Sequence, residues 1–376
     1  MSSYNILYII RQAEFGGGET HLKYIFDSIS RVQFKPVLVS LSSGFLSEYV
    51  QSIGIKFYLL SKKRKDFLSN ILRIIKIIRT EKINLIHAHG TKGAALALLP
   101  SILTGKKLIY TVHSWSFHSE MNSIKNFLRK LIERIICAFA HKVILVSQSD
   151  FEKGDFVNPS KKLLIKNGVD TFEFYPDKNY KLRSELGFSD NDFVIGYFAR
   201  LTHQKNPFFV IDLIQTLNKN DSDSGKSYKL LIIGDGDLKE KIIDEIEKRN
   251  LNSVVKILEP SFEIKKYLHA IDCYVLPSFW EGMPYGVLEA MSCEIPVVVS
   301  NIQVMNEIIE NGVNGFCENL NVENFARRII ELSRDDKLRS KIGANARRTI
   351  EKNFNIDLQI QELYKIYEKL KINDRN

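Results

Sequence analysis

The sequence predicts an α/β protein built as two Rossmann-like domains facing each other across a cleft. Three observations carry that expectation. At 376 residues the chain is longer than one hydrophobic core comfortably supports. Short β-rich apolar runs alternate with longer helical patterns, which is how parallel strands layered with helices read in sequence. The alternation also comes in two series, divided by residues 170–192, a stretch rich in Asp, Asn, Lys and Pro.

In the first series, strands are expected at residues 5–10, 36–40, 56–60, 85–89, 107–112 and 142–147. Helical patterns lie between them, as at 66–81, where Leu68, Ile71, Leu72, Ile75 and Ile78 recur at helical spacing. The second series places strands at 193–199, 230–233, 254–258, 273–276 and 296–300. Residues 355–372 then form a helical pattern with no strand after it, expected to cross back to the first domain. The domains are therefore expected to be 1–172 plus 355–376, and 173–354. Ligands in such sheets bind beyond the carboxyl ends of the strands, so motifs that follow strands carry the functional reading.

Composition narrows the class. A chain 44% hydrophobic and 26% charged is that of an ordinary soluble globular protein. No apolar run approaches the ~20 residues needed to span a bilayer. Residues 6–10 are too short for a signal-peptide core, so a cytoplasmic location is expected. Cys137, Cys273, Cys293 and Cys317 lie far apart with no C-x-x-C pair, which suggests reduced, buried thiols rather than disulfides or a zinc site. The charge is uneven. Residues 1–150 carry 21 Lys and Arg against 9 Asp and Glu, a balance of +12, while the remainder carries 32 against 35, a balance of −3. A basic front half faces something anionic: nucleic acid, a membrane surface or a phosphate-bearing substrate.

Four constellations carry chemistry. Residues 277–291 pass from an apolar strand through a Gly/Pro turn into an apolar helix. A helix start presents free N–H groups and a favourable dipole to an anion, and Gly282 and Gly286 allow close backbone approach. Glu281, before the helix, is placed to accept hydrogen bonds from sugar hydroxyls, and Glu289, about a turn inside it, to reach a ribose. Next, Arg200 stands directly after a strand with Lys205 five residues on. Two cations at a strand end can clamp a diphosphate and stabilise the charge that grows as it leaves. Gly16, Gly17 and Gly18 stand at the entrance of the first helix and suit close approach to phosphate or sugar. His113 closes a strand of the first domain, with Trp115 and Phe117 as stacking or packing groups.

The spacing from Glu281 to Glu289 resembles the E-x7-E signature of glycosyltransferase family 4, retaining enzymes with the two-domain GT-B fold, and the resemblance covers nearly the whole chain. It implies a first domain for the acceptor and a second for a nucleotide-diphosphate sugar, UDP-sugar favoured over GDP-sugar. It implies that Glu281 contacts the donor sugar and Glu289 the ribose, with the backbone of Gly282, Met283, Pro284 and Tyr285 touching sugar and phosphates. The family's Arg-x4-Lys pattern is similar to Arg200 and Lys205, its entrance loop to Gly16, Gly17 and Gly18, and its turn beside the donor to Gly234. A histidine at the position of His113 is implied to hydrogen-bond the donor sugar. No cofactor and no metal are implied. The chain departs from the pattern at Ala199, Glu259 and Glu294, where glycine is usual, and at Asn306, where proline is usual.

Other features read as decoys. Asp221-Ser222-Asp223 looks like a metal-binding D-x-D but lacks a preceding strand, so a solvated turn is expected. His87 and His89 share one face of a strand end, without the carboxylate or cysteine nearby that a metal would need. The implied reaction moves a hexose-type sugar with retention onto a glycan or lipid-linked acceptor in cell-surface polysaccharide synthesis. An epimerase or phosphorylase on the same fold is the alternative. Lys62, Lys63, Arg64, Lys65, Lys106 and Lys107 are expected to meet anionic lipid. A nucleic-acid role is disfavoured, since no helix-turn-helix or finger spacing is present.

Overall fold

The computed structural model describes residues 4–14, 16–29, 33–118, 122–221, 226–261 and 263–373. The chain divides into two compact units, Met1–Asn167 with Gln359–Asn376, and Gly168–Leu358. Each is an α/β layer with an all-parallel sheet.

In the first unit the strands are β1 (Tyr4–Ile10), β2 (Phe34–Ser40), β3 (Lys56–Leu59), β4 (Leu85–His89), β5 (Lys107–Val112), β6 (Lys142–Leu145) and β7 (Lys162–Leu164). Their order in the sheet is β3-β2-β1-β4-β5-β6-β7, which reverses direction between β1 and β4. The central strands are mostly apolar and buried nearly end to end because helices cover both faces. Alternate residues supply the two cores. Leu7, Ile9, Ile86, Leu108 and Val143 pack with the helices Phe67–Thr80, Gly90–Thr104 and Ser123–Phe139. Ile6, Tyr8, Leu85, Ile109 and Ile144 pack on the other face with Gly17–Ser28 and the C-terminal helix Ile356–Asn373.

That last helix returns the chain to the first unit. Leu363, Tyr367 and Leu370 enter its core. Tyr367 Oη lies 2.6 Å from His87 Nδ1 and 3.0 Å from Tyr8 Oη, while His87 Nε2 meets Thr111 Oγ1 at 2.7 Å. His87, expected near a strand end, is fully buried with both ring nitrogens bonded.

The second unit holds β8 (Asp192–Phe198), β9 (Ser227–Ile233), β10 (Val255–Leu258), β11 (Cys273–Leu276), β12 (Val297–Ser300) and β13 (Phe316–Glu318). They run in the order β10-β9-β8-β11-β12-β13, with the reversal between β8 and β11. The two strands beyond the sequence expectation, β7 and β13, are three residues long and lie at sheet edges, too short for a periodic signal. The stretch 170–192 carries a short helix, Tyr180–Glu185. Its Arg183 is buried against Asp272 at 2.9 Å, locking the stretch to the unit.

Candidate active site

In the second unit the loops after β8 and β11 leave neighbouring strands where the sheet order reverses, the position at which doubly wound sheets hold ligands. Backbone bonds tie them together. Phe279 N–H donates to Gln204 O at 2.9 Å, and Gln204 Nε2 donates to Trp280 O at 2.8 Å. The His203 ring packs on Phe279 with centroids 4.9 Å apart. These ties deliver the two principal sequence candidates to one point: Lys205 Nζ donates to Glu281 Oε1 at 2.5 Å. Both side chains are largely withdrawn from solvent, at 14% and 5% exposed.

The surroundings hold that pair in place. Tyr197 Oη donates to Lys205 O at 3.0 Å, and Tyr274 Oη donates to Phe198 O at 3.0 Å. Burial, followed by nearby negative charge, pushes both phenols well above their usual range, so they remain donors. Ser300 Oγ donates to Ser278 O at 2.6 Å, fixing the start of the 277–284 loop. Gly282, Met283 and Pro284 are buried in that loop, and the helix Tyr285–Ser292 begins directly after it.

Glu289 is buried on this helix, and its charge helps raise Tyr274 on one side and Cys293 on the other. Gly286 is required for an internal reason rather than for ligand approach, because any Cβ there would collide with Tyr274 Oη. Arg200, directly after β8, is exposed and makes no side-chain bond or ion pair among the described residues. Gly234 abuts Ala199 O, and Leu201 N–H donates to Asp235 O at 2.9 Å, so the 234–237 turn braces the Arg200 loop. Sequence reasoning passed over Thr202 and Ser278, whose buried hydroxyl oxygens find no partner among the described residues. Their places in the loops that follow β8 and β11 were the available signal.

In the first unit, Gly16, Gly17 and Gly18 follow the β1 loop and open the Gly17–Ser28 helix. A Cβ on Gly18 would lie 3.5 Å from the His113 ring, so loop and histidine are neighbours, whereas Gly17 is open. His113 Nε2 lies 3.2 Å from His89 Nδ1, and the ring of His21 stands 4.8 Å from that of His113. His21 Nδ1 lies 3.1 Å from Asn167 Oδ1 and 3.2 Å from Gln359 Nε2. This cluster was not foreseen, because His21 and His89 meet only through the fold. Burial is the chief cause that holds His21 down to about 4 and pushes His87, His89 and His113 well below the usual range. All four are neutral imidazoles at neutral pH.

The structure decides between readings left open and corrects others. Trp115 is buried, donates from Nε1 to Asp150 O at 2.7 Å and stacks on Phe117, so this pair belongs to the core. Asp221 does not lie in a solvated turn. It is buried, accepts from Tyr228 Oη at 2.5 Å and pairs with Arg334, while Ser222 and Asp223 lie outside the described residues. Glu259 is exposed and pairs with Lys239. Glu294 has φ +58°, a left-handed backbone that explains why glycine suits the position. Among the described residues no group of three or more His, Cys, Asp or Glu is arranged to hold a metal ion.

Comparison with known proteins agrees with this architecture. Residues 178–349 match the family model for glycosyl transferases group 1, and residues 15–172 match that for glycosyltransferase family 4. An Escherichia coli relative, UDP-Gal:alpha-D-GlcNAc-diphosphoundecaprenol alpha-1,3-galactosyltransferase, is 29% identical over 93% of this chain and 92% of its own length. The Staphylococcus aureus capsular polysaccharide biosynthesis glycosyltransferase CapM is 28% identical over 80% of each. Among solved structures, Anabaena HepE in complex with UDP-glucose superposes with a TM-score of 0.85 at 22% identity, covering 97% of this chain and 99% of that one. With both halves matched by family models and both sheets in Rossmann order, the chain belongs to the group 1, family 4 glycosyltransferases and has their two-domain Rossmann-like GT-B fold.

Proposed function

We propose that this glycosyltransferase takes a hexose-type sugar from a UDP-sugar, with retention, and places it on a glycan carried by a polyprenyl diphosphate. The observation that carries the donor half is the Lys205–Glu281 pair at 2.5 Å, set beside a helix start with Glu289 inside it. In this reading the diphosphate lies across the 282–285 loop and helix start, its charge met by Lys205 and Arg200. Glu281 Oε1 is bonded to Lys205, and the second oxygen accepts from sugar hydroxyls. Glu289 serves the ribose. As the glycosidic bond breaks, the cations stabilise the leaving diphosphate, and a departing phosphate oxygen takes the acceptor's proton on the same face. His113 and the Gly16–Gly18 loop keep the sugar and acceptor roles that the family resemblance gives them.

The UDP donor and lipid-linked acceptor are supported by the relative named for UDP-Gal and a diphosphoundecaprenol acceptor and by the UDP-glucose complex of HepE. Such an acceptor implies work in cell-envelope polysaccharide synthesis, at the cytoplasmic face of the membrane. No bound cofactor is needed, and with two cations for the diphosphate the reaction is expected to persist in EDTA. The test is to supply UDP-sugars and a polyprenyl-diphosphate-linked GlcNAc and read the new linkage by NMR. An α-linkage from an α-configured donor is expected. A β-linkage, or no transfer from any UDP-sugar while a GDP- or ADP-sugar reacts, overturns the proposal.

A further inference from the structure

The helix Ser123–Phe139 is amphipathic, yet it turns its larger apolar side to solvent. Ile124, Phe127, Leu128, Leu131, Ile135 and Phe139 recur every three or four residues and all face solvent, Ile124 and Phe127 at 71% and 67% exposure. The side turned to the core carries Ile136 and Cys137 and, with them, a carboxylate. Glu133 is 0% exposed and accepts from Thr91 Oγ1 at 2.6 Å and from Tyr110 Oη at 2.9 Å. Arg129 Nη1 donates to Ser116 O at 2.8 Å, and Lys130 lies over Phe117. The polar side is therefore anchored to the unit, which fixes the apolar stripe outward.

The two other helices on the same sheet face continue the pattern. Phe67–Thr80 exposes Leu68 and Leu72, and Gly90–Thr104 exposes Ile102 and Leu103. Together the three helices carry eight lysines and arginines and one carboxylate, the buried Glu133. Lys125 and Arg134 are exposed on opposite flanks of the stripe.

We infer that this three-helix face of the first unit docks on an anionic lipid bilayer, with the Ser123–Phe139 stripe entering the headgroup–acyl boundary. Large apolar side chains backed by Lys and Arg, on a helix too short and too charged to span, are what an interfacial helix requires. No helix among the described residues is long and apolar enough to cross a membrane. Charge decides the occupant. A second copy seated on this face would set cations against cations with no exposed carboxylate on these helices to meet them, whereas anionic headgroups complement all of them. The inference deepens the lipid-linked acceptor reading by naming the surface that meets the membrane, but binding is testable with neither donor nor acceptor present.

The test is flotation of the full chain with phosphatidylcholine vesicles and with vesicles that also contain phosphatidylglycerol, at low and high salt. Wild type is expected to float with the anionic vesicles and less so at high salt. The variant F127D/L131D should melt like wild type, since both side chains are already in solvent. Its partitioning should fall at least about tenfold, the loss expected when burial of a Phe and a Leu is forfeited. The variant K125E/R134E should lose the preference for phosphatidylglycerol. Unchanged flotation of F127D/L131D overturns the inference, as does a wild-type dimer that this variant dissociates while neither protein binds vesicles. Thermal stabilisation by UDP-sugars is followed alongside, and its persistence in F127D/L131D separates failure of the surface from failure of the donor reading.

Discussion

At the scale of single residues, Lys205 and Glu281 are each other's counter-ion in a place largely shut off from water. Removing one partner of such a pair leaves an uncompensated charge, at about 3–5 kcal/mol. Lys205→Ala is therefore expected to lower stability as well as turnover. Glu281→Gln keeps a hydrogen-bonding group and should lower kcat by ~10²–10³ with a smaller loss of stability. The double variant K205M/E281M should recover much of the stability in a denaturant titration and none of the activity, so wild-type turnover in either single variant would remove the pair from the chemistry. Glu294 makes a second prediction. It is exposed and left-handed at φ +58°, so Glu294→Gly should be neutral or stabilising by up to about 1 kcal/mol, and Glu294→Val destabilising by about 1 kcal/mol or more. Thermal melts of the two variants check the order.

At the scale of elements, the C-terminal helix is a structural part of the first unit. Tyr367→Phe would strand His87 Nδ1 and Tyr8 Oη in the core, at a cost of about 1–3 kcal/mol by chemical denaturation. An undiminished midpoint would show that these groups find other partners. Elements were also where the sequence was most and least legible. Central strands such as β1, β4 and β11 are buried nearly end to end because both faces are covered, and they stood where expected. The donor-side motifs were legible because each is a local loop following such a strand. The edge strands β7 and β13 were missed for want of length. The outward apolar stripe of Ser123–Phe139 was illegible for another reason: periodicity reveals that a helix has two faces but not which one is turned inward. That depended on Thr91 and Tyr110, which receive Glu133 from distant parts of the chain.

At the scale of the whole molecule, the histidine cluster makes the first unit acid-sensitive. Burial holds His21 down to about 4, against an ordinary value near 6.5, and the depressions of His87, His89 and His113 have the same cause. The unfolded chain therefore takes up these protons first. The stabilisation is fully present above about pH 6.5 and is lost as pH falls towards 4, with His21 alone accounting for about 3 kcal/mol across that window. The midpoint of denaturant unfolding should fall steadily from about pH 7 to about pH 5, and His21→Gln should flatten the slope. A midpoint indifferent to pH across that range would mean that the cluster is open to water. Among the described residues of the second unit only His269 is likewise lowered, chiefly by burial, so acid should unfold the first unit ahead of it. Uneven charge and uneven acid sensitivity belong to the same half of the chain.

Lys205 does not wait as a bare cation, because Glu281 already occupies it. Under the proposed chemistry, a small anion arriving alone must share or displace that carboxylate and offers it nothing in return. An intact nucleotide sugar answers both groups at once, an anion for the lysine and hydroxyls for the glutamate. In that reading the pair favours the intact donor over free phosphate or sulfate. Glu281 then keeps the lysine once the sugar has gone but loses its hydroxyl partners, which weakens the hold on the spent nucleotide. Product release is then built into the same contact that seats the donor.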